Sequence, residues 1–292
     1  MLAPFSLHRP ERLADAAALL REHGDDATVY AGGTELVVIL KDRLTEFGHL
    51  VDIKRIPGLD AITAADGALR IGALATHRAI ERSPLVREQL PELAALEANV
   101  ANVRVRSAGT LGGNLCFAEP HSDPATLLVA LGATLTLVSA DGGRTVPAEG
   151  FFTGLMSTAR RPDEILTDIR VPIPGPATGV AYERFKVHER PSASVAAVVR
   201  LDGGTVAEAR VVVGSVGERP ERVPAAETLL VGRVLTPTLA AEAAAQVRRE
   251  IEPTVDAFES TDYKRQLAAV LAEAAIVRAA GTAANGAMRH AD

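Results

Sequence analysis

Cysteine is almost absent from this chain. Its 292 residues include one cysteine, Cys116, which excludes an internal disulfide framework and any four-cysteine zinc or iron–sulfur site within the chain. No apolar run approaches the roughly 20 residues needed to cross a bilayer. The first residues, which include Pro4 and Pro10, lack the form of a signal peptide. We therefore expect a cytoplasmic protein without a membrane span.

Several familiar site motifs are also missing. No Gly-x-Gly-x-x-Gly joins a strand to a helix, which argues against a Rossmann nicotinamide site, and there is neither a phosphate loop nor a Gly-x-Ser-x-Gly nucleophile elbow. The net charge of -6 gives no reason to expect nucleic-acid binding. We expect no metal site, because the histidines do not follow metal-ligand spacings: His8, His23, His49, His77, His121, His188 and His290. With these motifs missing, we also expect no acid–base catalytic residue on this chain.

The composition and length suit a globular protein of two domains. Apolar residues make up 47% of the chain and charged residues 23%. Three prolines within residues 172–176 remove amide donors and mark a linker. We place a first domain at residues 1–174, a second at 177–281, and a tail at 282–292.

Hydrophobic spacing predicts mixed helices and strands in both domains. The first domain divides into a βα lobe of about residues 1–57 and a second lobe of about 58–174, in which Asp66-Gly67 predicts a hairpin. Helices are predicted in this domain at residues 11–23, 34–41, 76–82, 85–99 and 124–132. The second domain has three predicted strands, at 179–186, 194–201 and 206–213, followed by helices at 223–231, 237–251 and 262–280. This order predicts an α+β domain, a three-stranded sheet with helices on one face.

Two glycine-rich segments are the best candidates for a binding site. Gly32-Gly33 follows a short predicted strand and precedes a predicted helix with Thr34 as its cap, an arrangement that offers free amides to an anion. The segment 106–123 contains Gly109, Gly112 and Gly113, which disfavour both helix and strand and permit a close approach of backbone to ligand. Together they indicate a dinucleotide-like cofactor with a diphosphate and flat rings. Because little acid–base machinery is visible, we expect a redox cofactor that supplies its own chemistry.

These segments carry a resemblance to a known family. Residues 31–36 (AGGTEL), residues 110–114 (TLGGN) with Pro120 and Asp123, and Phe185-Lys186 resemble the FAD-binding medium subunit of molybdenum hydroxylases, such as bacterial xanthine dehydrogenase and aerobic carbon monoxide dehydrogenase. The resemblance covers nearly the whole chain. It implies a two-lobed FAD-binding domain of the vanillyl-alcohol-oxidase (PCMH) type, followed by a small α+β C-terminal domain.

The resemblance also implies roles for individual residues. Residues 31–36 would hold the FAD diphosphate, mainly through backbone amides, and Asp123 would bond near the ribityl or ribose part. Leu166 and Lys186 would lie near the flavin ring, where a lysine stabilises negative charge on the reduced ring. The implied cofactor-binding residues are Ala31, Gly32, Gly33, Thr34, Glu35, Leu36, Thr110, Gly113, Asn114, Phe117, Asp123, Leu166 and Lys186.

Each of these residue types has a plain structural alternative. Gly32-Gly33 is also what a simple turn requires. Asp123 is well placed to cap the helix that begins at Pro124, and Lys186 also suits an exposed strand position. Cys116, flanked by apolar residues, is typical of an inert core thiol.

The resemblance further implies partners. A molybdopterin-binding large subunit would oxidise the substrate, a small subunit with two [2Fe–2S] clusters would relay the electrons, and FAD on this chain would pass them to NAD⁺, oxygen or another acceptor. A dimer of heterotrimers is the implied assembly. The single cysteine agrees with clusters on another chain. Two alternatives stay open: a stand-alone FAD-dependent oxidase of the same fold, and a non-catalytic scaffold subunit that has lost the cofactor.

Overall fold

The computed structural model describes residues 2–187 and 190–289. His188, His290 and residues 291–292 of the predicted tail lie outside the described residues. The strands are β1 (Ser6–His8), β2 (Ala27–Tyr30), β3 (His49–Asp52), β4 (Ile62–Ala65), β5 (Ala68–Gly72), β6 (Thr134–Ser139), β7 (Gly142–Pro147), β8 (Phe152–Gly154), β9 (Ser157–Thr158), β10 (Ile165–Pro172), β11 (Thr178–Phe185), β12 (Ala193–Asp202), β13 (Thr205–Gly214) and β14 (Glu221–Arg222). The helices are α1 (Leu13–His23), α2 (Leu36–Lys41), α3 (His77–Arg82), α4 (Pro84–Gln89), α5 (Pro91–Glu97), α6 (Val103–Ala108), α7 (Leu111–Phe117), α8 (Asp123–Ala130), α9 (Ala148–Phe151), α10 (Pro224–Leu230), α11 (Pro237–Glu250) and α12 (Thr261–Arg289).

The first lobe is a small parallel sheet covered by one helix. Its strands lie in the order β1-β3-β2, and both pairings are parallel. Helix α1 places Ala16, Ala17 and Leu20 in one buried cluster with Val51 of β3, as the helical spacing of apolar residues predicts. The buried core of this lobe is small.

The second lobe is a larger antiparallel sheet with helices. Its five strands lie in the order β4-β5-β10-β6-β7. The predicted hairpin at Asp66-Gly67 is confirmed, since both residues have positive φ angles, 50° and 67°, and join β4 to β5. Helix α8 is buried along its whole length. It lies in the largest apolar cluster of the described residues, together with the inner faces of β5, β6 and β10.

Two predicted helices of the first domain need correction. The helix predicted at 85–99 is two helices, α4 and α5, because Pro91 has no amide donor and starts a new helix at its first position. Ser83 caps α4 by accepting a hydrogen bond from the Val86 amide. Helix α2 begins at Leu36 rather than Thr34, and Glu35 occupies its N-cap position without a side-chain cap bond. Thr34 therefore belongs to the turn.

The C-terminal domain is an antiparallel sheet with helices packed on it, and its α+β class is confirmed. The sheet has four strands in the order β11-β12-β13-β14; β14, only two residues long, was not predicted. Helix α12 covers β11 and β12 so closely that a Cβ atom on Gly179 would lie 1.8 Å from the Ala279 carbonyl oxygen.

Helix α12 also runs further than predicted. It continues through Gly281 to Arg289, where the sequence predicted a frayed tail. Its length and apolar composition alone would suit a membrane span, which we did not expect of any segment. In this fold its small residues, among them Ala272, Ala275 and Ala279, are buried in the core of the C-terminal domain.

Candidate functional site

One large pocket lies where the two lobes of the first domain meet. It encloses about 1100 Å³ when the part that opens to solvent is counted. The turn after β2, helix α7 and the start of β10 form its walls. Eleven of the residues implied by the resemblance line it: Ala31, Gly32, Gly33, Thr34, Glu35, Leu36, Thr110, Gly113, Asn114, Phe117 and Leu166.

The wall from the first lobe is a turn with free amides. Gly33 has a φ angle of 73°, which favours glycine. Lys54 stabilises the turn through two contacts. Its Nζ donates to the Ala31 carbonyl oxygen at 3.1 Å and lies 3.6 Å from the centroid of the Tyr30 ring. Within the described part of the chain, the amides of residues 32–36 donate to no other residue. Five successive unpaired amides suit an anionic group such as a diphosphate.

The wall from the second lobe is helical, which the sequence did not predict. The glycine-rich segment forms α6 and α7, and Gly112 and Gly113 lie inside α7. Glycine is required there by packing, since a Cβ atom on Gly112 would lie 2.6 Å from both Cβ and the carbonyl oxygen of Ala73. Thr110 caps the helix by accepting from the Gly113 amide at 3.1 Å.

The amides of this second wall are already used. The Leu111 and Gly112 amides donate to the carbonyl oxygens of Ala75 and Ala73, both at 2.9 Å, and the Asn114 amide donates to the Thr110 carbonyl oxygen. The glycines of this segment permit a close approach of backbone to ligand, but the amides of residues 111–114 are not free to bind it. The wall contributes side chains and a close backbone surface instead.

Asn114 and the opposite side of the pocket add polar and apolar groups. The Asn114 side-chain oxygen accepts from the Ser122 hydroxyl at 2.6 Å, which leaves its amide nitrogen available to donate. Leu166 and Cys116 contribute apolar surface. Burial raises the pKa of Cys116 to about 11, so its thiol is uncharged at neutral pH and is unsuited to nucleophilic chemistry. This agrees with the inert alternative for Cys116.

Arg160 and Glu164 form the polar end of the pocket beside Leu166. The Arg160 guanidinium donates to the Glu164 carbonyl oxygen at 2.8 Å. Hydrogen bonds from Arg144, at 2.6 and 2.8 Å, are the main cause of a lowered pKa at the Glu164 carboxyl group. Glu164 is thereby kept ionised, and the strand that carries Leu166 is fixed at its first residues.

A buried pair at this site, His77 and Glu97, was not predicted from the sequence. His77 lines the pocket, and its Nδ1 lies 2.6 Å from Oε2 of Glu97, which is fully buried. Oε1 of Glu97 has no partner within the described residues. The His77 amide donates to the Gly109 carbonyl oxygen at 3.1 Å, so the pair supports the entry to α7. A glutamate in the otherwise apolar run 93–98 was the signal available in the sequence.

Asp123 and Lys186 are implied site residues that do not line the pocket. Asp123 is buried and accepts hydrogen bonds from the Tyr182 hydroxyl and the Arg184 guanidinium. Its side chain caps no helix, since Ser122 is the N-cap residue of α8. Burial raises the pKa of Asp123, while Tyr182 and Arg184 act in the opposite direction. Asp123 thus joins the second lobe to the C-terminal domain.

Lys186 lies exposed just after β11. Glu119 and His121 lie in the loop just before α8. The Nδ1 atom of His121 is 2.9 Å from Oε1 of Glu119. Arg190 donates to the same oxygen at 3.0 Å. Glu119, His121 and Arg190 therefore form a polar cluster that joins the loop before α8 to the C-terminal domain.

The pocket as a whole fits FAD. The free amides of residues 32–36 suit the diphosphate, and a Cβ atom on Gly32 would lie 2.3 Å from the Ala108 carbonyl oxygen, so the turn approaches the second lobe as closely as a glycine allows. The apolar surface that flat rings need comes from the side chains of Leu36, Phe117 and Leu166.

Comparison with known proteins gives the same result. Residues 3–174 match the family model described as the FAD binding domain in molybdopterin dehydrogenase, and residues 182–279 match the CO dehydrogenase flavoprotein C-terminal domain. The chain is 34% identical over 279 residues to the carbon monoxide dehydrogenase medium chain of Hydrogenophaga pseudoflava, covering 94% of this chain and 97% of that one. It is 35% identical over 228 residues to the xanthine dehydrogenase FAD-binding subunit of Escherichia coli O157:H7, covering 76% and 77%.

A solved structure is similar over nearly the full length. The carbon monoxide dehydrogenase of Hydrogenophaga pseudoflava that lacks the Mo-pyranopterin moiety contains a chain that superposes with a TM-score of 0.93 at 34% identity, covering 97% of this chain and 99% of that one. The predicted family resemblance and fold are confirmed. The chain belongs to the family of FAD-binding medium subunits of molybdenum hydroxylases, it is an oxidoreductase subunit, and its cofactor is FAD.

Proposed function

We propose that this chain is the electron-output subunit of a heterotrimeric molybdenum hydroxylase that works in the cytoplasm. A molybdopterin-binding large subunit oxidises the substrate, and a small subunit carrying two [2Fe–2S] clusters relays the electrons to this chain. NAD⁺, oxygen or another acceptor takes them onward, and two heterotrimers form a dimer. The observation that carries the proposal is the pocket between the lobes. One wall has five amides without a partner among the described residues, and the other has apolar surface.

The chain's own residues bind and orient rather than transfer protons. FAD, when bound, supplies two-electron redox chemistry and can exchange electrons with one-electron carriers. The amides of residues 32–36 would hold its diphosphate, and Thr110, Asn114 and Phe117 would close the opposite side. We propose that Leu166 shapes access to the flavin ring. Lys186, which does not line the pocket, stabilises the reduced form of the flavin. Asp123 fixes β11, the strand that leads to Lys186.

The relatives support a shared assembly. The matching chains are named medium chain or FAD-binding subunit of a dehydrogenase, and this chain spans nearly their full length in the first case. The single cysteine supports placing the iron–sulfur clusters on another chain.

Electron delivery can be measured directly. The small subunit is reduced with dithionite, desalted under anaerobic conditions and mixed with the FAD-loaded full chain in a stopped-flow spectrometer. We expect the flavin absorbance to fall, and to return when NAD⁺, oxygen or an artificial acceptor is added. The full chain mixed with desalted buffer alone is the control and should keep its absorbance. If the bound FAD stays oxidised in both samples, the proposed relay is wrong.

The two alternatives predict other results. A stand-alone oxidase would turn over a substrate as an isolated chain, without the small subunit. A scaffold that had lost the cofactor would contain no flavin after purification, and it would retain none once added FAD is removed by desalting. The free amides of the first wall favour a chain that still binds the cofactor over the scaffold alternative.

A further inference from the structure

Three histidines come together on the first lobe, away from the flavin pocket. Nε2 of His8 lies 2.9 Å from Nδ1 of His49. The rings of His23 and His49 are stacked, with centroids 3.6 Å apart and planes at 8°, and the centroid of His8 lies 5.5 Å from that of His23. One ring nitrogen from each histidine lies within 4.8 Å of the other two. All three side chains are half-buried, so the cluster is reachable from solvent.

The fold fixes this arrangement from three separate elements. His8 is the last residue of β1, His23 the last of α1 and His49 the first of β3. The register pairs Ser6 with His49 and His8 with Val51, which puts His8, His49 and Val51 on one face of the sheet. That face is the one that α1 covers, because Val51 packs in the same buried cluster as Leu20. The end of α1 therefore brings His23 directly over the two strand histidines.

The spacing of the ring nitrogens suits a transition-metal ion. Two ligands about 2.0 Å from a tetrahedral ion are roughly 3.3 Å apart, close to the 2.9 Å between the nitrogens of His8 and His49. The rings of His23 and His49 are nearly parallel, so metal binding requires them to turn by tens of degrees. The terminal side-chain torsion of histidine is broad enough to allow this. Imidazole nitrogens are good ligands for zinc, copper and nickel, and three of them leave one position for water.

The surroundings also favour a cation. The C-terminal carbonyl groups of α1 carry partial negative charge next to His23. The Asp26 carboxylate lies 4.0 Å from Nε2 of His49 and is held by the Gly48 amide at 2.7 Å. We propose that His8, His23 and His49 form a binding site for one divalent transition-metal ion of the zinc, copper or nickel class, which cross-links β1, α1 and β3.

This site is distinct from the flavin pocket. His49 pairs with Ala27, the first residue of β2, whereas the flavin turn follows Tyr30, the last residue of that strand. Three residues of strand separate the two levels by about 10 Å. Metal binding at the histidines therefore stabilises the first lobe without occupying the cofactor site.

Zinc binding by the full chain tests the proposal. The chain is prepared without a histidine tag, treated with EDTA, desalted and dialysed against Zn²⁺, and the bound metal is measured. We expect one Zn²⁺ per chain. Substitution of any one ligand, with His23→Asn as the mildest because it lies at a helix end, should weaken binding by more than about 100-fold, the upper range for loss of a supporting residue. His121→Asn, which removes a histidine paired with a carboxylate, should bind as the parent does.

Two further readouts separate a coordinated ion from loose binding. At free Zn²⁺ one hundred times Kd, we expect the Tm of the full chain to rise by about 5 °C, and this rise should disappear in His23→Asn, whose metal-free Tm and circular dichroism should match the parent. Co²⁺ should give the visible absorption bands of a tetrahedral ion in the parent and in His121→Asn only. If Zn²⁺ binding or the Co²⁺ spectrum is the same in His8→Asn and His121→Asn, or no Zn²⁺ binds, the three histidines are a packing cluster and the proposal is wrong.

Discussion

The two walls of the flavin pocket carry similar glycine pairs for different physical reasons. On the first wall, the amides of residues 32–36 have no partner among the described residues, and the turn depends on the positive φ angle of Gly33. On the second wall, the amides of residues 111–114 are all bonded internally, and Gly112 lets a helix pack against Ala73. The first wall is built to bind an anion, and the second is built to be rigid. A glycine pair in a sequence therefore predicts a close approach of the backbone, but it does not show whether the backbone approaches a ligand or another part of the chain.

The largest expected effect concerns the rigid wall and its buried support. Glu97→Ala would leave His77 buried without its carboxylate partner, and breaking a buried pair costs about 3–5 kcal/mol. We expect the free energy of unfolding in urea to fall by that amount. The matched control is Glu35→Ala on the first wall, where the exposed carboxylate should matter by less than about 0.5 kcal/mol. Equal effects of the two substitutions would show that the walls do not differ in rigidity.

The next effect concerns cofactor affinity at the first wall. A Cβ atom added by Gly32→Ala would lie 2.3 Å from the backbone oxygen of Ala108, so the turn must move away from the second lobe. Such overpacking costs about 1–3 kcal/mol, which corresponds to roughly 5- to 150-fold weaker FAD binding. Flavin fluorescence titration measures this, with Gly150→Ala as the control because nothing lies within 4 Å of its added Cβ atom. Unchanged affinity in Gly32→Ala would contradict the close approach.

Gly112→Ala separates packing from binding. The clash with Ala73 costs about 1–3 kcal/mol as overpacking. Replacing glycine inside a helix returns about 1 kcal/mol, so we expect a net loss of stability of up to about 2 kcal/mol. FAD affinity should change less than in Gly32→Ala, because the Gly112 amide already donates within the chain. Urea unfolding and flavin titration of the same variant check both halves. A large loss of affinity with unchanged stability would mean that α7 binds through its backbone.

The smallest effect concerns the cap of α7. Thr110→Ala removes the acceptor of the Gly113 amide, and loss of such a cap costs about 1 kcal/mol. Thr110→Ser keeps the hydroxyl oxygen and should restore the stability measured in urea. Were Thr110→Ser as unstable as Thr110→Ala, the methyl group rather than the cap would explain the loss.

The features predicted correctly from the sequence depend on local chemistry. The hairpin at Asp66-Gly67 follows from residues that accept positive φ angles. The helix predicted at residues 76–82 is α3, and its N-cap residue Thr76 accepts from the Ala79 amide at 3.1 Å. The amphipathic spacing of α1 located both the helix and its buried face. In each case the residues that decide the structure are neighbours in the chain.

The features that the sequence did not show depend on contacts between distant segments. Helix α7 tolerates Gly112 because Ala73, far away in sequence, leaves no room for a side chain. The pair of His77 and Glu97 and the cluster of His8, His23 and His49 are likewise formed only by the fold. Motif spacing cannot predict such contacts. The family resemblance predicted the overall fold in which they form, but not the contacts themselves.

Hydrogen exchange of the full chain with and without FAD tests the central claim most directly. If free amides of residues 32–36 hold the diphosphate, FAD should strongly slow exchange in peptides that cover residues 31–37. Peptides that cover residues 110–117 should change little, because the amides of residues 111–114 already donate within the chain. The opposite pattern, with protection confined to residues 110–117, would contradict the account.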